Sequence, residues 1–595
     1  MSDKKTIRIG CASGFWGDST DAARQLIEQG RIDYLVFDYL AEITMSILAR
    51  AKAKDPNLGY ATDFIQALAP YGQSLKSQGI KVVANAGGVN PEACRRALES
   101  KLGEGWNIVV VEGDDLLPME QRLKDMGICE MFSSEPMPKR CLSINAYLGA
   151  FPIAAALKSG ADIVITGRCV DSALTLGPLV HEFGWKNSDL NRLAQGSLAG
   201  HIIECGAQAT GGLFTDWKKV PAWENMGYPI VECSPDGGFL VTKPAGTGGM
   251  VSPETVKEQI VYEIGNPARY LLPDVTCDFT KVEVSRAGDN LVSVSGAVGV
   301  VASRELKASA TWQDGWKLFT TIMIGGIEAA DKARRVAEAI FARTRRLFTE
   351  RGFSDYTETS VEIIGAESTY GQWSRCKDAR EVILKIAARH GDKGALDLLA
   401  KEIAPSATSM APGITGFAAG RAKPSPVVRL FSLLVPREMA PASLSLSDRS
   451  KVDVTREPVC GTPEPCQELE APYFDMDGET EVVEVPLIRL AHGRSGDKGD
   501  SANIGLLARD PLLYPLLVHT VTAEAVGRYF SHVTTGPVTR YLLPGIQGVN
   551  FLLENALGGG GIASLRYDPQ GKAFAQMLLD MPVKMPRKLL DRLPG

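Results

Sequence analysis

Through the first third of the chain, short β-branched runs alternate with amphipathic stretches. Thr6–Gly10, Tyr34–Asp38, Lys81–Asn85, Asn107–Val111 and Asp162–Thr166 are five such runs, with helical patterns such as the one through Leu26 and Ile27 between them. That order predicts βα units on a largely parallel sheet, hence an α/β fold. The runs end in polar residues: Asp38 and Glu42, Asn85 before Gly87 and Gly88, Glu112 with Asp114 and Asp115, and Gly167-Arg168-Cys169-Val170-Asp171. Ligands of parallel α/β folds sit at the carboxyl ends of strands, so these tips are expected to converge on one crevice.

From about Cys277 the period shortens to two. Lys281–Ser285, Asn290–Ser295, Ala308–Trp312 and Trp316–Ile324 read as antiparallel strands, with turn signals at Ala287–Asp289 and Gln313–Gly315. They predict an antiparallel subdomain over about 277–345, followed by helices at Asp331–Phe348 and Ala379–His390. Residues 451–482 are rich in Pro, Ser and acidic residues, as in Glu457–Cys466, and read as a linker. Beyond it, strands at Val483–Leu490, Ser501–Ala508 and Ser564–Tyr567, apolar Val549–Glu554, and helices near Glu524–Phe530 and Gly571–Leu579 predict a small α+β domain over 483–595. The large α/β domain then covers 1–450.

A length of 595 residues exceeds what one core organises, which agrees with several domains. The net charge of -6 leaves no basic surplus to neutralise phosphates, so nucleic acid is an unsuitable partner. Eleven scattered cysteines form no Cys-x-x-Cys pair, and no apolar run has the length of a signal or a membrane span. A reduced cytoplasmic protein, without membrane association and assembled as a homo-oligomer, is the expectation.

The densest chemistry lies at His201-Ile-Ile-Glu204-Cys205-Gly206-Ala-Gln208-Ala-Thr210-Gly211-Gly212. On a helix His201, Glu204 and Cys205 share one side, and a carboxylate beside an imidazole prepares a general base. His201, Glu204 and Asp171 are the candidate catalytic residues; Asn85, Arg168, Gln208 and Thr210 are candidates for holding a substrate carbonyl or carboxylate. A packed core histidine and an inert buried Cys205 are the plainer readings of the same pattern. The loop Thr247-Gly248-Gly249 feeds a helix start marked by Ser252, Pro253 and Glu254, a geometry that can offer backbone N–H groups to an anion, although an ordinary capped turn explains it too. No Walker ending follows, and Gly10-x3-Gly14-x2-Gly17 misses the dinucleotide spacing. No cofactor is assigned; a divalent metal held by Asp38, Glu42, Asp171, His201 and Glu204 is a candidate on ligand type alone, without a His-x-His or His-Glu-x-x-His pattern, so no residue is committed as a metal ligand.

A second unusual segment, His492-Gly-Arg494-Ser-Gly-Asp497-Lys498-Gly-Asp500-Ser-Ala-Asn503-Ile-Gly505, reads as a loop between strands. Together with Asn555–Gly561, Arg566, Asp568, Gln570–Lys572 and Gly10-x3-Gly14-Phe-x-Gly17-Asp18, it resembles the AtuA family of acyclic terpene utilisation proteins over nearly the whole chain. The resemblance implies a carboxyl-terminal AtuA-like ferredoxin fold. It also implies a place in citronellol and geraniol catabolism, which runs through coenzyme A thioesters by activation, dehydrogenation, carboxylation, hydration and lyase cleavage. Dehydrogenation and carboxylation need cofactor motifs this chain lacks, whereas hydration and carbon-carbon cleavage need an acid, a base and a holder for an enolate oxygen. A hydro-lyase or carbon-carbon lyase acting on an acyl-CoA or hydroxy acid is therefore expected; the alternative is a non-catalytic acyl-CoA-binding or assembly protein. The mixed charges of the 492–505 loop are costly to bury unpaired, so it is expected to be ordered against the amino-terminal domain or a neighbouring subunit, with Arg494, Asp497 and Lys498 joining the substrate site.

Overall fold

The computed structural model describes residues 6–417, 420–455, 458–461, 469–476, 478, 481–561 and 563–593. The five β-branched runs form parallel strands in the order Ile7–Cys11, Tyr34–Phe37, Lys81–Ala84, Ile163–Thr166, Ile108–Glu112. Antiparallel strands extend this sheet at both edges to eleven: Ile230–Cys233, Phe239–Thr242, Leu291–Ser295 and Glu283–Gly288 on one side, Ser443–Ser445 and Lys451–Asp453 on the other.

Alternate strand residues feed two cores. Leu35, Phe37, Val82 and Ala84 pack beneath helices Asp21–Gln29, Asp63–Leu68 and Pro91–Leu102. Ile9, Val83 and Val164 pack beneath Phe151–Lys158, Ala173–Phe183 and Leu190–Ile203 on the opposite face. The chain thus leaves the first three parallel strands toward one face and the other two toward the other, which puts the switch point of the sheet between Lys81–Ala84 and Ile163–Thr166.

The antiparallel region differs from expectation. Glu283–Gly288 and Leu291–Ser295 join the main sheet, and the two strands expected on either side of Gln313–Gly315 are one strand of 21 residues, Glu305–Gly325. The Asp-Gly signal there marks a register shift, a bulge that bends the strand without reversing it. The stretch Ala379–His390, expected as a helix, is the strand Glu381–His390 paired with Trp316–Gly325 and Glu358–Ile364. Its buried Val382, Leu384, Ile386 and Ala388 recur every second residue, a period masked by the alanines and cations between them. The helix Ala329–Arg351 covers this second sheet, as expected. Of the expected linker, Lys451–Asp453 is an edge strand of the main sheet, while residues 462–468, Cys466 included, lie outside the described residues.

The carboxyl-terminal part is a four-stranded antiparallel sheet in the order Ala491–Lys498, Ser501–Ala508, Gly548–Leu553, Val538–Leu543, backed by Tyr514–Thr520, Ala523–Tyr529 and Phe574–Leu579. The 492–505 segment is therefore no loop: its residues form two strands turning at Gly499 and Asp500, and Ser564–Tyr567 is not a strand. This sheet lies directly on the large domain. A Cβ at Gly505 would overlap Val261, and one at Gly496 would come within 2.6 Å of Glu263, so only glycine permits the approach. Asn503 donates to the Val261 carbonyl at 2.7 Å and accepts from Glu263 N at 2.9 Å, and Asn550 donates to Gly265 O at 2.7 Å. No described helix is long and apolar enough to cross a membrane.

Candidate functional site

The tips of the first parallel strands carry the acidic half of the site. Asp38, at the end of Tyr34–Phe37, is buried; its Oδ1 accepts from Asn85 Nδ2 at 2.7 Å, while Asn85 Oδ1 accepts from Tyr39 N. Asn85 is itself fully buried and acts on Asp38. Arg168, after Ile163–Thr166, lies 4.2 Å over the Tyr147 ring and donates through Nη1 to Asp171 Oδ1 at 2.7 Å. Asp171 retains 35% of its side-chain surface, so solvent reaches this pair from the carboxylate side.

Glu204 enters from the end of helix Leu190–Ile203. His201 Nε2 lies 3.2 Å from the Ile260 carbonyl, which can only accept, so Nε2 carries hydrogen. Its Nδ1 is 3.1 Å from Glu204 Oε1, and that contact is favourable only with a proton between them, as imidazolium with carboxylate or neutral ring with carboxylic acid. The imidazole, 1% exposed and flanked by Tyr270 and Phe279, cannot meet a substrate. Its role is to hold Glu204, whose side chain is 15% exposed.

Asp38, Asp171 and Glu204 lie within one another's electrostatic reach. Burial, then the charges of Asp171 and Glu204, push the Asp38 carboxyl well above the ordinary range. Burial also raises Glu204, against the opposing pull of His201. Like charges near one another at low dielectric oppose each other's ionisation, which adds to burial in raising Asp38 and Glu204. The cation opposite comes from the other domain: Lys498, at the hairpin turn, lowers Glu204 and stands 5.8 Å over the Tyr270 ring. Among the described residues Lys498 has no hydrogen-bond or ion-pair partner. Lys572, by contrast, is bound to Glu263 Oε1 at 2.9 Å and to the Tyr262 hydroxyl.

Several expected site residues are committed elsewhere. Arg494 Nη1 donates to Leu213 O at 2.8 Å, its Nη2 donates to Gln208 Oε1, and its guanidinium lies over Tyr262, so Arg494 and Gln208 fasten the domains together. Thr210 is fully buried and donates to Gly227 O. Gly248 N and Gly249 N donate to Asn225 O and Pro221 O, and Thr247 Oγ1 to Pro244 O, which leaves no cradle for an anion. The capped turn is the correct reading, with Ser252 Oγ accepting from Thr255 N. Asp497 stands 3.4 Å from Gln570 Nε2 and 4.0 Å from Lys572 Nζ. Burial and the Glu204 charge hold the Cys205 thiol far above its ordinary range, which argues against a nucleophile.

Among the described residues no three His, Cys, Asp or Glu side chains gather closely enough to hold a metal ion; the Glu42 side chain, one of the candidate ligands, lies outside them. Tyr270, Tyr147 and the Ile260 carbonyl carried no sequence signal, because each acts only through a partner distant along the chain.

Compared with known proteins, residues 7–446 match the family model described as acyclic terpene utilisation family protein AtuA, and residues 485–584 match the AtuA ferredoxin-like domain. No curated protein and no solved structure matches.

Proposed function

The chain belongs to the acyclic terpene utilisation AtuA family, and from that premise we propose that it is a lyase, a hydro-lyase or carbon-carbon lyase, acting by acid-base chemistry on an acyl-CoA or hydroxy acid of acyclic terpene or related branched-chain breakdown. The observation that supports the reading is that Asp38, Asp171 and Glu204 act on one another electrostatically, while Lys498 from the second domain, without a hydrogen-bond or ion-pair partner among the described residues, acts on Glu204. For dehydration, Glu204 as carboxylate takes the proton from the carbon beside the thioester carbonyl. Lys498 faces the oxygen on which negative charge then builds, and a carboxyl kept protonated by its neighbours gives its proton to the departing hydroxyl, which leaves as water. Cleavage of a carbon-carbon bond uses the same parts, with the base taking the hydroxyl proton and the acid protonating the carbon released.

His201 is then a positioning residue, through the proton it shares with Glu204, and Arg168 holds Asp171 in place. Incubating the purified chain with branched and terpenoid acyl-CoA thioesters, with mass spectrometry as the readout, tests the reading. Gain or loss of the mass of one water identifies a hydro-lyase, and two smaller products a carbon-carbon lyase. Tight binding of these thioesters with no product would overturn catalysis in favour of a non-catalytic acyl-CoA carrier.

A further inference from the structure

A cleft of about 320 Å³ opens at the carboxyl edge of the main sheet, between the tips following Lys81–Ala84 and Ile108–Glu112. It lies where successive connections pass to opposite faces of the sheet, the place at which an open parallel fold leaves room for a ligand. None of Asp171, Glu204 and Lys498 lines it, so its role stands apart from the lyase reading.

The polar groups of this cleft are mostly acceptors. Asp114 is buried on its wall, and burial pushes its carboxyl up to about 6. Asn145, 3% exposed, donates through Nδ2 to Asp114 Oδ2 at 2.8 Å, while its Oδ1 has no hydrogen-bond partner among the described residues. Asp115 stands exposed at the rim with one oxygen accepting from Leu117 N. The lysines on the rim are occupied: Lys52 Nζ donates to Val89 O and Lys451 Nζ to Glu112, each at 2.6 Å. A buried carbonyl left unpaired is costly, so a donor is the complement this wall lacks. An anion would face the surplus carboxylates, and an ammonium would approach between two lysines.

We propose that this cleft is a second ligand site, taking a small neutral molecule with adjacent hydroxyl groups, of the size of a pentose, whose O–H groups donate to Asn145 Oδ1 and to the carboxylates of Asp114 and Asp115. Saturation-transfer NMR on the full chain, with D-ribose, methyl phosphate and ethylammonium in separate arms, tests it. Transfer to ribose is expected to exceed that to either ion. It should fall about fivefold in Asp115→Ala, a rim change that leaves the melting temperature in place, and in Asn145→Leu, which removes the unpaired acceptor. Absence of transfer to ribose, stronger transfer to methyl phosphate or ethylammonium, or ribose transfer unaltered in Asp115→Ala overturns the assignment; the last of these needs no information from Asn145→Leu, should that variant fail to fold.

Discussion

Two segments, His201–Gly212 and His492–Gly505, concentrate polar side chains beside glycines, and the structure employs them differently. In the first, His201 withdraws into the core and presents Glu204 to the strand tips. In the second, Arg494 and Asn503 bind the amino-terminal domain, and Lys498, which stands over the Tyr270 ring, has no hydrogen-bond or ion-pair partner among the described residues. Density of polar residues therefore does not distinguish a catalytic segment from a domain joint. What distinguishes them is which groups remain unsatisfied once the chain has folded.

The sharpest test of the contrast is Glu204→Gln, which keeps the shape and removes the base. Turnover on the responsive thioester should fall about 10²- to 10⁴-fold, with the urea midpoint little changed. A rate within a few-fold of wild type would remove Glu204 from the chemistry. Next in size, Arg494→Met should act on the joint. It withdraws the donors to Leu213 and Gln208 and leaves buried Glu258 to take a proton without the cation 3.9 Å away, a loss of about 2–4 kcal/mol, visible in denaturant titration. Stability equal to wild type would mean that packing and the Asn503 and Asn550 hydrogen bonds hold the domains without Arg494.

Lys498→Met should separate the hairpin's remaining role from its joint. Its kcat is expected to fall about 10²-fold while the melting temperature stays put, because among the described residues the ammonium has no hydrogen-bond or ion-pair partner and only stands over the Tyr270 ring. Equal loss of stability would place Lys498 with Arg494. The smallest expected effect is on pH dependence. Burial pushes the Glu258 carboxyl up to about 7 and those of Asp114 and Asp274 to about 6, above their unfolded values. Stability from these groups is complete below their unfolded pKa near 4 and is lost as pH rises through about 6 to 7. Asp216, held far below the ordinary range by Arg509 and His492, contributes in the opposite direction and fails only in acid. The melting temperature should thus decline between pH 5 and pH 8, and a rise over that interval would show that other groups dominate.

The parallel strands were legible because each is a brief β-branched run buried on both faces, a pattern independent of what lies nearby. Glu381–His390 was not, since its alternation passes through alanines that suit a helix equally well. The 492–505 hairpin resembled a loop because its glycines answer to Val261 and Glu263 across the joint, a requirement that no local window contains. At the candidate site, the placement of Asp38, Asn85, Arg168 and Asp171 at strand ends was legible from the runs that carry them. Nothing along the chain announced that Ile260 would occupy His201 Nε2, or that Arg494 and Lys498, four residues apart, would divide between fastening and an open charge. Those outcomes depend on long-range pairing.

The hairpin that brings Lys498 to the strand tips also imposes an order in time. During synthesis the ribosome releases Glu204 roughly 300 residues before Lys498, an interval of about 15–60 s at ordinary elongation rates. Throughout that interval the carboxylates lack their cation, and the nascent chain holds an acidic cluster that cannot yet stabilise an oxyanion. On the proposed reading a competent centre arises only after Lys498 has been made, so products of translation interrupted before it would be inert bystanders in the cell.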